Sequence, residues 1–366
     1  MARNDLAQEG AHSLGQIIDR SPAKKYTPPV AMALSGASYR EGGFMKNVRG
    51  FVLLGLAATA AGAIFAVTMT TPPPWAFPVN PPAAPPRNTD TSPKHVPGSS
   101  VALTVDQTRD GYNVPDWHPD GHPPMPEIVA HGRKPEVRAC GYCHLPNGFG
   151  RPENATIAGL PPDYIAQQIA DFRSGARISS EPKMGPPVAM VAIAKAVPDP
   201  DVSVAAAYFS SLHLKSWIRV VETETVPKTH VSGSMLVPDA TGGTEPIGER
   251  IIETPENLDR TELRDAASGF IAYAPVGSVD KGAALVTTGA AGKTTACGVC
   301  HGQDLRGLGP VPPIAGRSPS YVVRQLVDFQ NGTRNGRWSA LMKPVVAKLT
   351  VSDMVSIAAY TASRTP

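Results

Sequence analysis

Two strings of five residues limit what this chain can become: Cys140-Gly141-Tyr142-Cys143-His144 and Cys297-Gly298-Val299-Cys300-His301. Each reads C-x-x-C-H, the attachment pattern of a c-type haem. In that chemistry two thiols bond to the haem vinyl groups, and the adjacent histidine ligates the iron from one side. The chain has 4 cysteines, all inside these strings, so none remains for a disulfide or a separate metal site. An all-cysteine zinc site usually closes over ~15–20 residues, whereas roughly 150 separate the two pairs here. A redox dithiol would need one C-x-x-C in a βαβ context, which is absent. The expectation is two covalently bound haem c groups, attached at Cys140, Cys143, Cys297 and Cys300, with His144 and His301 as iron ligands.

A chain of 366 residues has room for two domains, or three. The net charge of +3 and the lack of a basic stripe argue against a nucleic-acid partner. Phe51 to Met69 is an uncharged run, FVLLGLAATAAGAIFAVTM, close to the ~20 residues that cross a bilayer as a helix. Lys46 and Arg49 precede it and the next basic residue is Arg87, which keeps the N-terminus in the cytoplasm. The rival reading is a signal peptide cleaved at Ala61-Gly62-Ala63, but it leaves the apolar Ile64-Phe65-Ala66-Val67 unexplained. The preferred division is a cytoplasmic tail at 1–50 and a transmembrane anchor at 51–70. Met45 is an alternative start, which would make the residues before it a mis-assigned extension. Haem attachment is an export-side event in bacteria. The expected location is therefore the bacterial inner membrane, single-pass, with the haem units in the periplasm.

Prolines number 39, and many fall in TPPPWAFPVNPPAAPPRNTDTSPKHVPGSS at 71–100. Such sequence favours polyproline II, so residues 71–124 read as a spacer and lead-in without a core of their own. An internal repeat follows. At the offset between Cys140 and Cys297, Ile157-Ala158-Gly159 meets Ile314-Ala315-Gly316 and Tyr164 meets Tyr321. Asp171-Phe172 meets Asp328-Phe329, Gly175 meets Gly332, and Arg177 meets Arg334. Two copies of one haem-binding unit result, at 125–213 and 277–366. Ile165, Ile169 and Phe172, and likewise Val322, Leu326 and Phe329, mark one face of a helix. Pro162 and Pro319 suit the first turn, Gly175 and Gly332 the end, and Ser318 can cap the second copy. Other helices are expected at Pro126–His131 and Val279–Thr287 before the motifs, and at Asp201–Ser211 and Asp353–Ser363 after them. Residues 214–276 differ: Trp217 to Thr223 and Phe270 to Tyr273 are β-prone, and glycines and Pro238 punctuate the middle. The fold class expected is all-α, two tandem units with a partly β segment between them.

A methionine opposite histidine raises a haem's potential. Met342, in a segment expected to be a loop, serves the second unit. In the first, Met184-Gly185-Pro186-Pro187-Val188-Ala189 matches the second copy as M-x-P-x-V-A, which favours Met184. The alternative is Met190, which lies as far before Tyr208 as Met342 lies before Tyr360. Asp116, His118, Asp120 and His122 could ligate a metal, though a solvated turn is the plainer reading. Glu249, Arg250, Glu253 and Glu256 read as an exposed mixed-charge face. Arg334, Arg337, Lys343 and Lys348 could steer an acidic redox partner.

On C-x-x-C-H, I-A-G, Y-x7-F, G-x-R, M-x-P and the closing A-A-Y, the chain resembles membrane-anchored di-haem cytochromes c built from tandem class I domains. The resemblance covers roughly 125–212 and 277–364. It implies that the first and last helices of each unit cross, with Gly282 near Tyr360. The first copy has Met125 at the place of Gly282. The function implied is one-electron transfer between redox protein partners: a donor dehydrogenase or quinol-oxidising complex, and an acceptor oxidase or soluble cytochrome. A cytochrome c subunit of a dehydrogenase or oxidase complex, or a di-haem peroxidase, is the alternative. A methionine in both units favours a carrier over a catalyst.

Overall fold

The computed structural model describes residues 69–83 and 90–366. The tail at 1–50 and the apolar run up to residue 68 lie outside them. Among the described residues no single helix is long and apolar enough to cross a membrane. In chain order the helices are α1 (Val105–Thr108), α2 (Glu127–Ala130), α3 (Cys140–His144), α4 (Pro162–Ser174), α5 (Gly185–Ala196) and α6 (Asp199–Ser211). After a β segment containing α7 (Leu258–Glu262) come α8 (Ser278–Thr288), α9 (Gly298–His301), α10 (Pro319–Gln330), α11 (Ser339–Val346) and α12 (Val351–Ala362).

Local chemistry explains most of these boundaries. Pro162 and Pro319 open α4 and α10, where a missing N–H costs nothing. Ser318 caps α10 by accepting from the Tyr321 N–H, whereas Pro161 offers α4 no side-chain cap. Gly175 ends α4 in the left-handed region (φ 78°), where a side chain would be strained. In the second copy α8 crosses α12 so closely that a Cβ on Gly282 would lie 2.0 Å from Ser356 O and 2.7 Å from Tyr360 Cβ. Only glycine fits there. The first copy has Met125 instead, and α2 is one turn long.

Each copy has its own core. Ile128, Val129, Ile165, Ala206 and Phe209 are buried together in the first, and Leu285, Val323, Val327, Met354 and Ala358 in the second. Between the copies lie β1 (Ile218–Glu222), β2 (Thr225–Pro227), β3 (Thr229–Ser232), β4 (Met235–Pro238), β5 (Thr244–Pro246), β6 (Ile252–Pro255) and β7 (Phe270–Ala274). β3 and β4 pair as an antiparallel hairpin. The parallel pairing of β1 with β7, Ile218 against Phe270 through Glu222 against Ala274, brings the two ends of the segment together. The two ends of this pair then serve different cores: Trp217, Ile218 and Phe270 join the first, Val220 and Ala274 the second.

Three expectations are corrected. The Pro-rich stretch does not stand free, because Ala76 and Phe77 are 0% and 2% exposed inside the second core. Phe77, with Trp75 packed against the same core, supplies the apolar area that anchors the chain around it. Glu253 is 2% exposed rather than on a charged face. Its Oε2 accepts from Ser318 Oγ (2.7 Å) and Ser320 Oγ (2.6 Å) at the N-terminus of α10. Burial pushes its carboxyl up, against the pull of those serine hydrogen bonds. Lastly, Met342 lies inside α11, which accommodates Pro344, and not in a loop.

The two copies meet through a reciprocal hydrogen-bonded cluster. Arg177 Nη1 donates to Gln168 Oε1, and its Nη2 to Tyr321 OH and Gln325 Oε1, all at 2.8 Å. Arg334 does the same with roles exchanged: Nη1 to Gln325 Oε1 (3.0 Å), Nη2 to Tyr164 OH (2.7 Å) and Gln168 Oε1 (3.0 Å). The two arginines pair as an antiparallel bridge, so repeat symmetry becomes a local two-fold relation. Arg334, buried here, does not face a partner.

Candidate haem sites

In the first copy, α3 holds Cys140, Cys143 and His144 in one turn, so the two thiols and the imidazole come from adjacent backbone. His144 Nδ1 bonds to the Ala155 carbonyl at 2.8 Å, which fixes that nitrogen as the donor and leaves Nε2 with a free lone pair. His301 repeats this with the Pro312 carbonyl at 2.8 Å. Burial lowers the basicity of both imidazoles, which keeps them neutral and able to ligate. Burial pushes the thiols of Cys140 and Cys297 up to about 12 and about 11, unlike the thiolates of a reactive dithiol.

An apolar cleft opens beside α3. Cys140, Cys143 and His144 line it together with Ile165, Ile169 and Phe209. Phe209 stands edge-on to His144, with ring centroids 6.1 Å apart. The methionine in this cleft is Met190. Met184 is not brought to it: that side chain is 0% exposed and belongs to the core of the second copy, with Phe77 and Ile251. The physical reason is the position of the helix. Met184 precedes α5 in extended conformation and points away into the neighbouring unit, whereas Met190 lies in the middle of α5. Met190 precedes the start of α6 by the same interval as Met342 precedes the start of α12. The extra residues of the first copy therefore fall before Met190.

The second site is built alike. Cys297, Ile314, Val322, Leu326 and Met342 pack on one cluster. Ile314, Val322 and Leu326 occupy the places that Ile157, Ile165 and Ile169 hold in the first cleft. A flat apolar ring with covalent attachment at one edge suits such walls, so the residues present fit haem c at both places.

No family model matches the chain. Cytochrome c-554(548) of Halomonas halodenitrificans is 38% identical over 73 residues, 20% of this chain and 88% of that protein. The chain is a di-haem cytochrome c. Cytochrome c-552 of Acidithiobacillus ferridurans is 43% identical to this cytochrome over 68 residues, 19% of the chain, but the match spans only 28% of that relative. The thiosulfate dehydrogenase electron acceptor of Thiomonas intermedia is 26% identical over 233 residues, 63% of this cytochrome and 80% of that protein.

The remaining sequence candidates fall elsewhere. Among the described residues no cluster of His, Cys, Asp and Glu is arranged to hold a metal ion. His118 bonds to Asp265 (2.8 Å) and His122 to Asp116 (3.1 Å), so this turn docks on the protein. Two features of the cytochrome escaped sequence reasoning. Gln168 and Gln325 share the repeat offset with the tyrosines and arginines, a signal that marks the interface. Arg264, which lies over the Tyr142 ring at 3.7 Å, had no such signal.

Proposed function

We propose that this cytochrome carries electrons one at a time between redox proteins, on the periplasmic side of a membrane to which residues 51–70 tether it. Cys140 with Cys143, and Cys297 with Cys300, make the thioether bonds. His144 and Met190 would hold the iron in the first unit, and His301 and Met342 in the second. The observation that carries the reading is the shared apolar cleft of Cys140, Cys143, His144 and Met190. The bound haem iron supplies the one-electron couple. The chain's residues hold that couple steady. The Ala155 and Pro312 carbonyls orient the imidazoles, and Phe209, the isoleucines and the isoleucines' counterparts Ile314, Val322 and Leu326 would keep water from the ring. A methionine available in each unit would leave neither iron the open position that a peroxidase needs. Similarity to a thiosulfate dehydrogenase electron acceptor supports a dehydrogenase as the donor.

The test is spectroscopic. Pyridine haemochrome analysis should give two covalent haems per chain, and one in the variant Cys297→Ala/Cys300→Ala. Reduced wild-type protein should not bind carbon monoxide. Binding at either iron would replace the carrier reading with that of an enzyme subunit or peroxidase.

A further inference from the structure

The two C-x-x-C-H strings are equivalent in sequence but not in surroundings. In the first copy Phe149 and Arg151 are buried and Tyr142 is half-buried. Their counterparts at the repeat offset, Arg306, Leu308 and Val299, are exposed, the last two by 62% and 63%. The difference comes from the segment between the copies. Its loop from Leu258 to Ser268 lies on the first string and is bonded there at several points. Arg264 Nη1 donates to Tyr142 O (2.8 Å), Asn147 Nδ2 to Ala266 O (2.6 Å) and Arg151 Nη1 to Thr261 O (3.2 Å). Trp117 Nε1 donates to Leu263 O (2.8 Å), and Asp265 receives both His118 and Arg260. Nothing equivalent covers the second string among the described residues.

The open face also has a charge. Trp338 and Leu341, 48% and 63% exposed, stand beside Met342. Thr294 Oγ1 ties the approach to Cys297 to α11 by donating to Val345 O (2.6 Å). On and beside α11, Arg337, Lys343 and Lys348 are exposed, and none makes an ion pair with a carboxylate among the described residues. In the first copy the exposed charges on and near α5 and α6 are mixed and partly neutralised, Arg173 with Asp199 and Arg133 with Asp201. An apolar centre flanked by unpaired cations is the complement of an acidic protein surface, and long-range attraction raises the encounter rate.

We propose that the second C-x-x-C-H face is the cytochrome's electron port, the docking surface for an acidic redox protein, and that the 258–268 loop closes the matching face of the first. This rests on the electron-carrier reading. In the step, one electron leaves a ferrous centre of the cytochrome and reduces an oxidised metal centre of the partner; no proton moves.

Cupric plastocyanin, a small acidic copper protein, serves as the probe. Dithionite-reduced full-length cytochrome is mixed with it by stopped flow at two ionic strengths, alongside the variants Arg337→Glu/Lys343→Glu and Lys183→Glu/Lys195→Glu. The first variant should slow the bimolecular rate at least tenfold at low salt and abolish its salt dependence; the second should change it less than twofold. Carbodiimide cross-linking followed by mass spectrometry gives a readout independent of electron transfer. Plastocyanin carboxylates should join Lys343 or Lys348, and not Lys183 or Lys195. Equal slowing by both variants, links through Lys183 or Lys195, or no reaction and no link with plastocyanin would each overturn the proposal. Hexacyanoferrate(III), which needs no protein docking, separates the two levels. If it fails to oxidise the reduced cytochrome, the carrier reading fails; if it succeeds while plastocyanin does not react, only the port is wrong.

Discussion

Met184 and Met190 lie six positions apart and have unrelated surroundings. Met184 fills the second core beside Phe77 and Ile251, and Met190 lines the cleft that holds His144. Truncating a buried methionine removes its transfer energy and leaves a cavity, a cost of about 2–5 kcal/mol. Met184→Ala should therefore lower the urea midpoint without touching either haem's weak far-red sulfur-to-iron band. Met190→Ala should remove that band for one haem and let carbon monoxide bind there, with a smaller loss of stability. The opposite assignment of bands would restore Met184 as the ligand. The sequence motif M-x-P-x-V-A pointed to Met184 because local likeness ignores where a helix begins.

The last helix, α12, shows how an element is secured. Thr350 and Asp353 form a capping box: the Thr350 N–H donates to Asp353 Oδ2 (2.9 Å), and the Asp353 N–H to Thr350 Oγ1 (3.2 Å). Lys281 of α8 and Lys293 each lie 3.1 Å from the same carboxylate. Burial alone would raise the Asp353 carboxyl, but the hydrogen bonds from Thr350 and the two lysines outweigh it and hold it well below the usual range. The folded state thus binds this proton less readily than the unfolded chain does. The stabilisation is complete above the unfolded value of about 4 and disappears as pH falls towards the folded one. Asp353→Ala should cost about 1–2 kcal/mol at pH 7. Urea titrations should show that the gap between variant and wild type narrows as the pH is lowered below about 4.

Across the whole molecule, the cluster of Tyr164, Gln168, Arg177, Tyr321, Gln325 and Arg334 joins the two haem units. Each glutamine oxygen accepts from both arginines, so neither guanidinium acts alone. Arg177→Met leaves buried acceptors short of a donor, which costs about 1–3 kcal/mol. Arg334→Met should cost a similar amount, since its contacts are the mirror set. Because the partners are shared, the double variant should depart from additivity by at least 0.5 kcal/mol. A thermal scan of the holoprotein measures it. Additive losses would show two independent arginines and no common cluster.

Several features were legible without coordinates because they are written in neighbouring residues. The C-x-x-C-H strings, the proline starts of α4 and α10, the Ser318 cap and the apolar stripe at 165, 169 and 172 are all local patterns. So is the repeat, which placed Tyr164 with Tyr321 and Arg177 with Arg334. The tertiary structure alone decided which distant groups meet. Phe77 leaves its proline setting for a core, Glu253 turns from a charged run to the buried end of α10, and β1 finds β7 some 50 residues on. The same holds for the cover over Tyr142. Local pattern sets what a segment prefers. Burial of apolar area and satisfaction of buried polar groups, gained only when remote segments come together, set where that segment goes.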